Sequence, residues 1–393
     1  MLCIEDSFEQ DAYELENYLK ATGVETEYEF LVLPNNTEDR ETELTRLRTE
    51  IMAGEGPDAF ILNATVPGTV TVSGEPLEAL FPNVEKSMYS HLFLDLEDMA
   101  QSSEIIDLES CNQTVMDVGV TGEGRFLLPL TYTFSGLILD PSILNDPAYV
   151  FTSLDELLQS DEEAFKGIMA WGTFRLFPDC LGLLADYTDQ NLLVTQDSLQ
   201  QAIEQADAFS AFQDEAYSQS PALYQGGRTI GANHLMSLAR EETEYAVLPI
   251  PNPQGGVTAA VTFYAAINAN AAHPQEAFDF IELLYSPELV TQQGFEVNGM
   301  HYGTMFDYGG NGSLAIPVKD GVLLQYAEDS GLLPGTLASF QGALDRIDSA
   351  KVYSDLDLDI YNLYETWHFE RPEESLEELV DRTVSTMEMT LAE

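Results

Sequence analysis

The N-terminal third alternates strand-like and helix-like patterns. Residues 8–20 place Phe8, Ala12, Leu15 and Leu19 at helical spacing, and Gly23 follows as a stop signal. Leu2–Ile4 before it is a short apolar run that reads as a strand. Glu25–Leu33 begins by alternating and ends continuously apolar, as in a strand entering a covered sheet. Thr37–Ala53 sets Leu44, Leu47, Ile51 and Met52 on one helical face, closed by Gly54 and Gly56, and Asp58–Leu62 reads as a buried strand. The order β-α-β-α-β predicts a parallel sheet with right-handed crossovers. Asn63–Pro82 is rich in Gly, Pro, Thr and Val and predicts a loop or short strands. Phe93–Met99 reads as a turn into a helix, and Ser102–Val118 as weakly helical.

Two apolar runs are unusually long. Arg125–Leu139 carries only Pro129 and Gly136 as interruptions, and Val257–Asn268 is of the same kind. Each exceeds an ordinary strand of 5–6 residues, so each is expected to pass from one domain to another. Between them lie a helix start near Thr152 and Ser153, an aromatic stretch Ile168–Ala185 and an amphipathic helix Ser198–Phe212. A Gly-rich turn with a short helix over 222–240 and a strand Tyr245–Ile250 complete that stretch. After the second run come a strong helix, Gln275–Tyr285, and a tail Ser339–Glu393 that reads as helical with a break at Phe369–Pro372. Repeats and low-complexity segments are absent.

Composition narrows the class. The chain has 393 residues, 45% of them hydrophobic and 10% aromatic, enough for large cores. A single core rarely serves more than roughly 250–300 residues, so two domains are expected. With 68 Asp+Glu against 15 Lys+Arg, the formal charge is 15 − 68 = −53. So few scattered cations cannot form the patch that neutralises nucleic-acid phosphates, and anionic membranes would repel the protein. It should be soluble and monomeric. No apolar run approaches the ~18 residues that span a bilayer. Met1-Leu-Cys-Ile lacks the charged and apolar regions of a signal peptide, so either an intracellular protein or a mature segment is expected. Cys3, Cys111 and Cys180 show no metal-like spacing and read as three free thiols, with one disulfide plus an orphan cysteine as the alternative.

Catalytic signals are thin. Any carboxylate spacing occurs by chance among 68 acids. Asp355, Asp357 and Asp359 alternate like the start of a calcium loop. Ile360 and Thr366 stand where such a loop needs Gly and Glu, so an acidic strand or helix entry is expected instead. His91, His234, His273, His301 and His368 form no i, i+4 pair and no HExxH, and neither metal nor cofactor is expected. GxSxG, Walker A and GxGxxG are absent, and Gly226-Gly227 reads as an ordinary turn. Aromatics in or beside loops and crossings are the more telling set, because flat rings stack on the apolar faces of sugars. Core packing is the ordinary use of any one ring.

Five blocks, in order, carry a family resemblance. Leu44–Phe60, with Met52-Ala53-Gly54 and Gly56-Pro57-Asp58, resembles the "M-A-G-x-G-P-D" segment of the extracellular solute-binding proteins of ABC importers, family 1, the carbohydrate-binding group. Leu127-Leu-Pro-Leu130 through Gly136–Asp140 is similar to that family's first interdomain crossing. Tyr245–Pro251 with Gly255-Gly256 resembles the strand and turn before the second. Ala265–Asn268 through His273–Ile281 is similar to the return into the first lobe, and Ser375–Leu379 with Arg382 and Leu391–Glu393 to the C-terminal helix. Two departures stand out: Gly299 without a following Pro, and Gly231-Ala-Asn-His234 where the family often has a Trp.

The resemblance implies an α/β, two-lobed periplasmic-binding-protein-like (type II) fold with a hinge and an interlobe cleft. Following the two long runs, lobe one is expected at 1–131 plus 265–325 and lobe two at 132–264 plus 326–393. The implied function is a non-enzymatic receptor that closes like a clamshell on a small carbohydrate and delivers it to an ABC permease. It would act outside the cell, as a membrane-anchored lipoprotein whose mature part is this chain. A polyamine or peptide ligand on the same fold, or a secreted glycoside hydrolase, are the alternatives. Candidate ligand contacts are Asn63 and Thr65 after a strand end, and Tyr132, Phe134 and Tyr264 on the crossings. Trp171, Phe174, Asn233, His234 and Phe340 complete the set.

Overall fold

The computed structural model describes residues 1–64, 67–68, 77–143, 153, 156, 179–210, 225–291, 293–302, 315–370 and 372–392. The chain divides into two units, one of Met1–Tyr132 with Val261–Tyr326 and one of Thr133–Ala260 with Ala327–Glu393. The two long strands, Leu128–Leu139 and Val257–Ile267, each contain a division point. All twelve residues of the first are buried, Pro129 and Gly136 included.

The first unit is built on β1 (Leu2–Glu5), α1 (Glu9–Ala21), β2 (Phe30–Leu33), α2 (Thr37–Met52) and β3 (Ala59–Asn63). β1 is central and parallel to both neighbours, with Leu2 opposite Phe30 and Ala59. This is the parallel arrangement read from the element order. The expected strand Glu25–Leu33 forms only from Phe30. Its partner β1 has four residues; Glu29 still gives its carbonyl to the Leu2 N–H at 2.8 Å, and the ladder begins at Phe30 opposite Leu2. The helices bury the stripes their spacing marks: Ala12, Leu15 and Leu19 on α1, and Leu44, Leu47 and Ile51 on α2. Asn36 starts α2 by accepting the Asp39 N–H.

Two of the sequence blocks meet here. Asp58 accepts backbone N–H bonds from Ala272 and His273 at 2.7 and 3.0 Å. Asn268, buried, donates to the carbonyls of Glu55 and Pro57. Gly54 and Gly56 take left-handed φ of 79° and 100°, which a side chain would resist. The M-A-G-x-G-P-D turn is thus shaped to receive the turn after the second long strand, whose residues 263–267 pair antiparallel with β3. Ser102–Val118, read as one weak helix, is broken into short turns, with Asp107 in the left-handed region at φ 44°.

In the second unit, residues of the first long strand pair with Ala246–Pro249 and with Gln225–Ile230. Gly226-Gly227, expected as a turn, lies inside the latter strand. Gln225 faces Ile138 and Arg228 faces Gly136, so three steps on one strand match two on the other. The glycines sit at a bulge. A second correction concerns the tail, where Ile347–Val352 is a strand paired with the second long strand. Its polar sequence IDSAKV hides it, and tertiary pairing overrides propensity. In the same unit, helices Gln196–Ser210, Asp355–Glu365 and Leu376–Ala392 share a core including Leu199, Ile203, Ile360, Leu363, Val380 and Met387. The expected helix start near Thr152 and most of Ile168–Ala185 lie outside the described residues.

The Asp355/Asp357/Asp359 series is a helix entry. Ser354 caps the helix, and Asp357 returns a bond to the Ser354 N–H and receives Lys351 Nζ at 2.6 Å. Burial, with Asp355 one turn earlier, pushes Asp359 from 3.8 up to about 6. Between those values the folded chain holds a proton that the unfolded chain has released, so stability falls as pH rises through the window. Asp359→Asn is therefore expected to raise the melting temperature at pH 7 and leave it nearly unchanged at pH 4. Thermal unfolding in the two buffers checks this, and equal curves at pH 7 count against it.

Candidate functional site

In the first unit, β1, β2 and β3 end together, and parallel sheets bind ligands beyond such ends. The groups there are Glu5, Ser7 and Asn63. Asn63 Nδ2 donates to Ser7 Oγ at 3.3 Å, while its Oδ1 is buried without a partner. Glu5 is neutralised by Arg40 of α2 through two bonds of 3.1 and 3.2 Å. Arg40 also donates to the carbonyls of Pro34 and Glu78, tying the ends of β1 and β2 to the chain at residue 78. The edge is held by a closed ion pair and presents a neutral amide.

In the second unit, Asn233 and His234 open the helix Ala232–Leu238. Asn233 Oδ1 accepts the His234 N–H at 2.9 Å. His234 Nδ1 accepts the Gly231 N–H at 3.2 Å, which puts the neutral ring's proton on Nε2. Burial holds the imidazole below its usual range, favouring that neutral form. Both residues remain partly exposed. His368 Nδ1 lies 2.6 Å from Asp207 Oδ1, and Trp367 Nε1 donates to the same carboxylate. This joins the turn Thr366–Glu370 to the helix Gln196–Ser210.

Four expected ligand aromatics are buried. Tyr132, Phe134, Tyr264 and Phe340 are 0, 1, 1 and 0% exposed, which leaves no ring face open for stacking. Phe134 and Phe340 pack edge to face at 6.1 Å. The Tyr132 hydroxyl donates to Asp320 Oδ2 at 2.9 Å, beside Asn112. Burial raises both tyrosines well above their usual range. Thr65, Trp171 and Phe174 lie outside the described residues.

Two groups not foreseen are Thr133 and Ser135. They alternate with aromatic and glycine positions on the first long strand, so they share a face with Thr131. Thr131 bonds Thr262 at 2.9 Å, but the hydroxyls of Thr133 and Ser135 are buried without partners. The signal was visible as Thr-x-Thr-x-Ser within an apolar run. Among the described residues, no group of three His, Cys, Asp or Glu is arranged to hold a metal. The three cysteines are buried thiols, Cys111 in the first unit and Cys180 in the second. No described helix is long and apolar enough to cross a membrane. The partly exposed polar groups here are Asn63 in the first unit and Asn233 and His234 in the second.

The profile of the bacterial extracellular solute-binding proteins matches residues 4–290, and the chain belongs to that family. It is a non-catalytic extracellular receptor, and the hydrolase alternative falls with that membership. Solved structures are similar along the whole chain. The sugar-binding protein MalE of Xanthomonas citri has a TM-score of 0.60 at 13% identity, over 100% of this chain and 98% of that one. A periplasmic oligogalacturonide binding protein of Yersinia enterocolitica scores 0.56 at 12%, over 100% and 99%. The maltotriose binding protein of Thermus thermophilus scores 0.53 at 13%, over 100% and 100%. At these identities the likeness establishes the periplasmic-binding-protein fold and not the ligand. No curated protein matches the chain.

Proposed function

We propose that the solute is a carbohydrate, captured by clamshell closure and handed to an ABC permease by a receptor anchored through lipid. The observation that carries the ligand class is the neutral, partly exposed amide of Asn63 beyond the ends of the parallel strands, whose Oδ1 has no protein donor. A polyhydroxylated ligand supplies such a donor. Three solved relatives in fold are described as sugar- or oligosaccharide-binding. Asn233 and the Nε2–H of His234 are further contacts in this reading, as are Thr65, Trp171 and Phe174. A cationic solute such as a polyamine is the second reading, favoured by the net charge of −53.

A thermal-shift screen over mono- and oligosaccharides, polyamines and peptides separates the readings. A ligand at 100 times its Kd should add about 2.7 kcal/mol. Asn63→Ala then tests the site. It removes one hydrogen bond, to Ser7, so stability should fall by no more than about 1 kcal/mol. Sugar affinity should fall about 5- to 10-fold, the worth of one hydrogen bond of roughly 1 kcal/mol. Unchanged affinity by calorimetry removes Asn63 from the site.

A further inference from the structure

We infer that His234 is an acid-operated latch in the second unit: a proton on Nδ1 releases the turn Gly231–His234 and with it the start of the helix Ala232–Leu238. The inference concerns the protein itself and holds whatever the solute is. The turn is closed from both sides. The His234 N–H is shared between the Gly231 carbonyl at 3.2 Å and Asn233 Oδ1 at 2.9 Å, and His234 Nδ1 accepts the Gly231 N–H at 3.2 Å. The third residue of a helix commonly returns such a bond to the N-cap, and Glu or Gln is its usual occupant. The amide oxygen of Gln accepts at any pH. An imidazole accepts only while neutral, because both nitrogens of the cation are donors.

Protonation therefore sets two N–H groups against each other. Gly231 and Ala232 are buried, so the Gly231 N–H loses its acceptor away from water. Burial holds the ring below its usual 6.5, and a donor on Nδ1 opposes the cation in the same direction. Arg240, Glu241 and Glu242 follow the other end of the helix, about 9 Å or more along its axis, and no described charged group contributes to the ring's proton affinity. Between 6.5 and the lower folded value the unfolded chain holds a proton that the folded chain lacks, so this group's contribution to stability falls as pH falls. Asp359 acts in the opposite sense, so the latch is read from its own segment and not from a whole melting curve. In the carbohydrate reading Asn233 and His234 are solute contacts, and on that reading acid would loosen the receptor's hold on its solute.

The test uses the full chain without added solute. Protein labelled with ring-15N histidine is titrated by NMR from pH 7.5 to 4.5 beside His234→Gln, whose missing signal identifies the ring. Hydrogen exchange over residues 231–238 is followed by mass spectrometry in both proteins. The neutral ring should carry its proton on Nε2 and titrate below the value it has in the urea-unfolded chain. Exchange of the segment should match the variant at pH 7.5 and run at least ~5-fold faster than the variant at pH 4.5, the loss of one hydrogen bond. A neutral ring protonated on Nδ1, a midpoint at or above that of the unfolded chain, or equal exchange at pH 4.5 overturns the inference. Should the variant not fold, the helix Leu376–Ala392 of the same unit serves as the reference for exchange. A ratio of the two segments that does not change between pH 7.5 and 4.5 then overturns it.

Discussion

Arg40→Ala is expected to destabilise the first unit by about 3–5 kcal/mol, because it leaves a buried charge without its partner. Arg40 and Glu5 are 2 and 4% exposed. Burial already raises the Glu5 carboxyl above its usual range, and Arg40 is what opposes that rise. Without the guanidinium, Glu5 must either stay ionised in the interior or take up a proton. The deficit should therefore shrink as pH falls and Glu5 protonates. The paired variant Arg40→Met with Glu5→Leu should recover most of the loss, because two apolar side chains need no mutual neutralisation. Urea unfolding at pH 7 and pH 4 reads all of this. A loss below about 1 kcal/mol for Arg40→Ala at pH 7 would mean that water reaches the pair and that the reading of this edge is wrong.

The second large effect is on salt. Even if each of the 15 cations took one carboxylate, 53 of the 68 would have no cation of their own. Helices such as Leu376–Ala392 carry acids on their outer faces, where exposed Glu377 and Glu378 sit one turn from exposed Asp381. Self-repulsion of this size works against the compact state. Raising NaCl from 0.05 to 1 M shortens the Debye length from about 14 to 3 Å and should raise the melting temperature on the order of 10 °C. KCl should act equally, because screening depends on ionic strength and not on the identity of the cation. A flat melting temperature over that range would show that the carboxylates are too well separated and hydrated to matter.

Much of the fold was legible because local and global signals agree. The stripes of α1 and α2, the glycines that stop α2 and the two long apolar runs each describe one element without competition. Ile347–Val352 was not legible, because its pairing with a distant strand, and not its own residues, makes it a strand. The site was harder. An aromatic residue on a long strand looks the same whether it faces solute or core, and Tyr132, Phe134, Tyr264 and Phe340 are all core. Burial separates these cases, and burial depends on what packs around a residue. Thr133 and Ser135 were visible as an alternation, but Thr is also a common strand former. The structure buries them too, at 4 and 3% exposed, with hydroxyls that find no partner.

The pairing of β3 with residues 263–267 sets an order of events during synthesis. β1, β2 and β3 are complete once residue 63 is made, yet one edge of β3 has no neighbour until some 200 residues later. Until then the growing chain presents an unpaired strand edge, the kind of surface that recruits other chains. Closing so long a loop is slow, although each doubling of its length adds only about 0.6 kcal/mol. The first unit is therefore a late product of its own gene, finished after the chain has travelled through most of the second.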